Sequence, residues 1–423
     1  MDTGADTASP TLTGSTSDHV GDRAARAVFV AFFASGVAFA SWASRIPQVR
    51  DALGLEPGAL GLVLLAVAVG SVIALPVAGM VVTRLGPART ILAMSLLLAA
   101  GLATVAIGHS HGVLPVVVGL LLVGFGNGTW DVAMNVAGAE VEQRQGRSIM
   151  SRFHAGFSLG TVAGALIGSA MVALHVGVGP HLTAVAVVIA AVVPISVRGF
   201  LPAVPHEHAV AEAGGRHPLK AWTEPRTLLI GVFVLTMAFT EGTGNDWLGV
   251  AVIDGYHAEP AVGSLTFAVF VAAMTVGRWF GTSLLDRFGR VPVLRVSALA
   301  ALTGLVTVVF GAGLPMAMAG AVLWGLGAAL GFPVGMSAAA DDPRHAAGRV
   351  SVVASIGYVA FLAGPPLIGL LGNHVGVLRA LTIAAGLMAV GLLVAGACRP
   401  LPVEAGGVEV GGGNGVPGPD LPS

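Results

Sequence analysis

The sequence is a succession of apolar runs, and no other feature restricts its fold as strongly. Runs at 26–46, 58–82, 90–108, 113–137, 150–174, 181–199, 227–250, 261–285, 293–311, 315–338, 350–371 and 378–398 each reach the roughly 20 residues a helix needs to cross about 30 Å of hydrocarbon. That predicts an all-α membrane protein with twelve transmembrane helices. Composition says the same. Only 10% of the 423 residues are charged and 55% are hydrophobic, whereas soluble domains carry roughly 25% charged residues. A soluble chain of this length could not cover its surface with so few charges, so lipid must solvate the remainder. The 61 glycines suit helices that approach closely in a membrane. A net charge of −1 gives nucleic acid nothing to bind, and the single cysteine, Cys398, excludes an intramolecular disulfide.

The polar segments divide the chain. Residues 1–22 read as a disordered cytoplasmic tail, 23–199 as a first six-helix bundle, 200–226 as a polar cytoplasmic link, 227–398 as a second six-helix bundle and 399–423 as a Gly/Pro-rich disordered tail. No apolar core lies near enough to the start for a secretory signal. With both termini cytoplasmic, seventeen of the Arg and Lys residues fall on the inner side. Arg45, Arg50 and Arg379 fall outside, and Arg278 lies within a span. That bias predicts a multi-pass protein of the cell inner membrane with both ends inside.

The two halves repeat each other. Ser41-Trp42 closes the first run, and Glu56-Pro57-Gly58 opens the second. Asp246-Trp247 closes the seventh, and Glu259-Pro260 opens the eighth. The link after the second run is Gly79-Met-Val-Val-Thr83-Arg84-Leu-Gly86-Pro-Ala-Arg89; after the eighth it is Gly281-Thr-Ser-Leu-Leu-Asp286-Arg287-Phe-Gly289-Arg290. Each places an arginine two residues before a glycine. Repeated halves side by side are a transporter architecture. On these turns, the twelve runs and the long central link, the chain resembles the major facilitator superfamily over about 26–398. Ser41-Trp42-Ala-Ser44-Arg45-Ile-Pro47, Trp130-Asp131-Val-Ala-Met-Asn135, Phe153-His154-Ala-Gly156-Phe-Ser158-Leu-Gly160 and Gly364-Pro365-Pro366-Leu-Ile-Gly369 resemble a bacterial permease subgroup distantly similar to fucose-permease-type sugar–proton symporters. The resemblance implies two pseudo-symmetric bundles, gating contacts at Arg84, Asp286 and Arg287, and an acidic proton site on the fourth span. Thr83 stands where the superfamily turn usually has Asp.

The fourth run holds the polar stripe Asn127, Asp131 and Asn135, spaced by four and hence on one helix face. An isolated carboxylate in hydrocarbon costs at least about 2.5–3.5 kcal/mol and normally faces a bundle interior or a wet cavity. Asp131 lies about 27 Å along its span from the outside at 1.5 Å per residue, in the cytoplasmic half. It reads either as a protonatable site or as a carboxylate satisfied by Asn127, Asn135 or a basic group. Glu241, about 21 Å along the seventh span from the inside, has Asn245 four residues on, a matching acid–amide pair. Proton coupling is therefore expected at Asp131 and Glu241. Substrate contacts are expected at Asn127, Trp130, Asn135, Asn245, Trp324, Ser41 and Trp42, with Trp130 and Trp324 the deeper aromatics. Arg45 pairs with Asp246, an anionic solute group or an ordinary loop acid, and both Arg45 and Asp246 enter as gating candidates. Arg278 either reaches to the cytoplasm or neutralises a buried acid. The spacing of Gly156, Gly160, Gly164 and Gly168 predicts tight helix packing. Gly364-Pro365-Pro366 predicts a bend that either serves a gate or is passive shape.

No ATP-binding lysine motif, metal-ligand cluster or nucleophile elbow occurs in the sequence. The expectation is a secondary transporter, not an enzyme, with no cofactor and no metal, acting as a monomer in the lipid bilayer. It moves a small polar solute by alternating access with protons as the coupling ion, by symport of a sugar-like or organic compound. A proton-driven drug or metabolite exporter is the alternative within transport. A non-transporting receptor or scaffold is the alternative of another class.

Overall fold

A computed structural model describes residues 13–146, 149–201, 218–342 and 345–401. The expectations for 1–12, 202–217 and 402–423, and for Arg147, Arg216 and Arg344, lie outside the described residues. Six traverses come from α1 (Thr13–Ala43) with the short α2 (Ile46–Leu53), α3 (Pro57–Gly108), α4 (Val113–Gln145), α5 (Met150–Ala173) and α6 (Val178–Val197). Six more come from α7 (Pro225–Tyr256), α8 (Pro260–Phe288), α9 (Arg290–Phe310), α10 (Leu314–Ala328) with α11 (Gly331–Ala339), α12 (Ala346–Val375), and α13 (Val377–Ala380) with α14 (Thr382–Val394). An even number of traverses in each half brings Thr13, Leu201, Pro218 and Leu401 to one face. That face is called the termini face below, and its opposite the far face.

α3 supplies two traverses. Its 52 residues would make a straight rod of about 78 Å, far longer than a bilayer core. The chain turns back at Gly86, with φ 78° and ψ 159°. Gly289 turns the chain between α8 and α9 with nearly the same backbone, φ 79° and ψ 166°. Only a residue without Cβ takes that φ readily. The repeat legible in the two links is therefore a repeat of backbone geometry.

Packing separates the halves and then joins them. Gly156, Gly160, Gly164 and Gly168 bring α5 onto α1: a Cβ on Gly160 would strike the Phe33 carbonyl, and one on Gly164 the Val37 backbone. This is the close contact expected of the stripe. Between the halves, α3 lies on α12 and α5 on α8. Leu174, Phe310 and Leu393 point outward from the helices, as a surface solvated by lipid requires.

The first helix corrects one expectation. Residues 13–22 continue α1 rather than forming a loose tail. Extending an existing helix fixes one residue per hydrogen bond gained, so polar residues ahead of an apolar span are readily drawn in. At the other boundary, Pro218–Thr223 forms a short 3-10 turn leading into α7.

Candidate functional site

The halves are bonded to each other at the far face. There Arg50 Nη1 donates to Asp254 Oδ2 at 2.6 Å, and the Gly58 N–H to Asn373 Oδ1 at 2.8 Å. Ser264 Oγ donates to the Ser44 carbonyl at 3.1 Å, and Ser169 Oγ to that of Ala261 at 3.5 Å. Backbone closes the remainder: Gly61 meets the Pro365 carbonyl, and Gly369 meets that of Pro57, too closely for any Cβ. Among the described residues, the one other hydrogen bond between the halves is Thr275 Oγ1 to the Ser158 carbonyl at 3.5 Å, near mid-depth.

Beneath this seal lies a cavity of about 270 Å³. Phe39 and Trp42 of α1, Leu64, Val67 and Ser71 of α3, Asn127 of α4, Gly242, Asn245 and Asp246 of α7, and Tyr358, Phe361 and Pro365 of α12 line it. Both halves contribute. Gly124 and Gly128 press α4 onto the Val67 and Ser71 backbone of α3, and that contact turns Asn127 towards the cavity. Ser35 Oγ donates to Asn127 Oδ1 at 3.1 Å. Most of the wall is aliphatic or aromatic, and its polar groups are few. Asn245 Oδ1 is buried and receives no hydrogen bond.

Three acids stand in this region in different surroundings. Asp131, one turn nearer the termini face than Asn127, is exposed to the space between the halves. Four residues on from Asn127, it shares the face of α4 that Asn127 presents to the cavity. Asn135 Nδ2 donates to its backbone carbonyl at 2.8 Å and to its Oδ1 at 3.4 Å. Glu241 Oε1 instead accepts from Arg278 Nη2 at 2.8 Å, both side chains being largely covered. Of the two readings of Arg278, neutralising a buried acid is the one observed. Asp246 borders the cavity, and no described residue bonds it.

The structure rearranges several expectations. Trp130 and Trp324 are both 0% exposed and do not line the cavity. Trp324 packs edge-on to Phe270 with centroids 5.2 Å apart. A bulky indole deep in a bundle is enclosed by neighbours on all sides, so depth removed these residues from the wall. Trp42, nearer the far face, is the indole that reaches it. Ser41 is fully buried, its Oγ without a partner, and Asn135 sits beyond the cavity against Asp131. Among the described residues Arg45 pairs with no acid. It is 1% exposed, and its Nε donates to His181 Nδ1 at 2.8 Å. The Ala43–Ile46 break in the helix turns its side chain into the first half, so the Arg45–Asp246 gate pair is absent. Arg84, Asp286 and Arg287 are exposed at the termini face. Arg287 lies over its neighbour Phe288 at 5.1 Å, and Thr83 Oγ1 bonds the Gly79 carbonyl within its own helix.

Other residues were not singled out by sequence. Arg50 and Asp254 supply the latch at the far face. Phe39, Tyr358 and Phe361 supply aromatic wall. A usable signal existed, because Phe39–Trp42 and Tyr358–Phe361 are each spaced by three on a span and so share a face.

The model of the Major Facilitator Superfamily matches residues 27–245 and 234–414. An uncharacterised transporter of Sinorhizobium fredii is 31% identical over 82% of this chain and 91% of its own length. An uncharacterised MFS-type transporter of Yersinia pestis is 31% identical over 87% of this chain and 93% of its own length. The membrane protein MosC of Rhizobium meliloti is 30% identical over 87% of this chain and 88% of its own length. Among solved structures, the nucleoside transporter NupG superposes with a TM-score of 0.74 at 13% identity, covering 90% of this chain and 99% of that one. The fucose–proton symporter of E. coli superposes with a TM-score of 0.59 at 17% identity, covering 89% and 98%.

Proposed function

The chain belongs to the major facilitator superfamily, and we propose that this transporter carries a small solute through the cavity between its halves with a proton as coupling ion. The observation that supports this reading most is a cavity built from both halves and bonded shut at one face only by contacts that rocking can break. The alternation of access then consists of parting α3 from α12 and α5 from α8 at the far face while the halves close at the termini face. We place the termini in the cytoplasm of the inner membrane on the Arg and Lys bias, which makes the far face the outer one and this state inward-facing.

Asp131 is the proton site in this reading. It is a carboxylate without a cation, on the path between the cavity and the cytoplasm, and such a group gains and loses a proton as its access to water changes. Glu241 exchanges Arg278 for a proton in the opposite state. The solute lies against Asn127, Asn245 and Trp42. The mostly apolar wall suits a compound with one apolar face more than a uniformly hydroxylated sugar. A nucleoside transporter and a sugar symporter share this fold; neither substrate is carried over to this chain by name.

The test uses proteoliposomes with an internal pH dye, given an inward solute gradient. The parent should acidify the lumen together with the solute. Asp131→Asn should leave solute exchange within about threefold, since a proton site is not needed for exchange, and lose the pH signal. If Asp131→Asn retains the parent's pH signal, the proton assignment is wrong. If no solute of a wide panel moves, a non-transporting role replaces transport.

A further inference from the structure

Among the described residues no arginine or lysine lines the cavity, and its one carboxylate is Asp246. Asp246 lines it without an ion pair or hydrogen bond from any described residue. Asn245 Oδ1, one residue earlier, is buried and lacks a donor. No arginine of the described residues bonds Asp246, although Arg45 keeps a buried Nη2 without a partner. Arg45 is turned to His181, Arg50 bonds Asp254 and Asp51, and Arg278 bonds Glu241. A carboxylate taken out of bulk water keeps its charge only beside an opposite charge or several donors. The same cavity wall contains Phe39, Trp42, Tyr358 and Phe361, and aromatic faces attract a cation within about 6 Å of the ring centroid.

We infer that the solute bound in this cavity is a small organic cation: an ammonium group that donates to Asp246, carried on a ring or chain that lies against Phe39, Trp42, Tyr358 and Phe361. The inference rests on the transport reading above and narrows it to a class of solute. Two features follow from the chemistry. An ammonium offers up to three N–H donors and brings Asp246 the opposite charge it lacks among the described residues. A carboxylate-bearing solute of the same shape would meet Asp246 as a like charge and be rejected.

The test is equilibrium binding to the full chain purified in detergent, read by tryptophan fluorescence and by thermal shift. The probes are 2-phenylethylamine, 2-phenylethanol and phenylacetate at neutral pH, which share a body and differ in charge. The amine should bind at least about tenfold more tightly than the alcohol, the margin of one charge-assisted hydrogen bond, and phenylacetate should not bind. Asp246→Asn should weaken the amine by about tenfold or more. Asp246→Glu, which keeps the charge, should retain most of its binding and covers the case in which the Asn variant does not fold. Glu56→Gln, at an exposed acid of the far face, should match the parent. Equal binding of alcohol and amine, undiminished amine binding by Asp246→Asn, or no binding of any probe at millimolar concentration overturns the inference. Binding needs no flux, so the two readings fail separately. An amine that binds and is never carried counts against transport, whereas a neutral solute that is carried while amines do not bind counts against this assignment.

Discussion

In the first half, Asp131 opens onto the space between the bundles with Asn135 as its neighbour. In the second half, Glu241 is held by Arg278 at 2.8 Å. The halves share a turn at Gly86 and Gly289 that is nearly identical in backbone, and each carries an acid with an amide four residues on. Their electrostatics nevertheless differ, because the first half has no basic residue in α3 at the place where α8 has Arg278. A repeated fold therefore does not imply a repeated role. In the proposed cycle the acid without a cation takes a proton directly, whereas the paired acid does so only on release of Arg278, which otherwise ties α7 to α8. In the second half Asp341 accepts from both Arg226 and Arg290, and Glu224 from Arg349; in the first, Glu142 accepts the Ile149 and Met150 backbone N–H groups.

The largest expected effect breaks the paired side of this comparison. Arg278→Gln strands Glu241, and removing one partner of a buried pair costs up to about 3–5 kcal/mol; some water reaches this pair, so about 2–3 kcal/mol is expected. Thermal unfolding in detergent should show the loss, and adding Glu241→Gln should recover most of it. Asp131→Asn should leave the unfolding temperature near that of the parent. An equal drop for Asp131→Asn would erase the distinction between the two acids.

Next in size is the seal. Gly61→Leu forces a side chain into the Pro365 carbonyl, and overpacking of this kind costs typically about 1–3 kcal/mol. In the proposed alternation the contact belongs to the sealed state alone, so the change should populate the state open at the far face. With the buried Cys398 as the native thiol, Ser264→Cys should react with an impermeant maleimide faster in this variant than in the parent sequence. Unchanged labelling would mean that the glycine contact does not hold the seal.

Arg50→Gln removes the ion pair at the rim, where exposed pairs contribute about 0.2–1 kcal/mol. The same label should report a shift of no more than about fivefold. A larger one would make Arg50–Asp254 the dominant latch.

The smallest effect concerns pH at the termini face. Hydrogen bonding from Arg349 holds the Glu224 carboxyl below its ordinary 4.5, with a bond from Thr227 and the charges of Arg349 and His345 acting the same way against partial burial. A depressed folded value contributes stability that is present above 4.5 and lost as pH falls through the folded value. The unfolding temperature of the parent should therefore decline below that pH more than that of Arg349→Gln. Parallel curves would show that the pair contributes nothing measurable.

The residues themselves determined the broad design. Apolar runs of transmembrane length, few charges and glycines at fixed spacing leave helices in lipid as the one way to satisfy every backbone group. The paired Gly86 and Gly289 turns are legible because only glycine takes that φ readily. The candidate site was partly legible in the same way. Asn127 and Asn245 stand on the cavity wall because a polar side chain at helical spacing has one face on which it avoids lipid. Tertiary structure decided the rest. Whether an indole reaches the cavity or is enclosed, as Trp42 and Trp324 show, depends on the neighbouring helices. Whether an arginine meets an acid depends on where its helix breaks, which sends Arg45 to His181 and leaves Asp246 without a cation. Those outcomes are set by distances between residues far apart in the chain, and helical periodicity within one span carries no information about them.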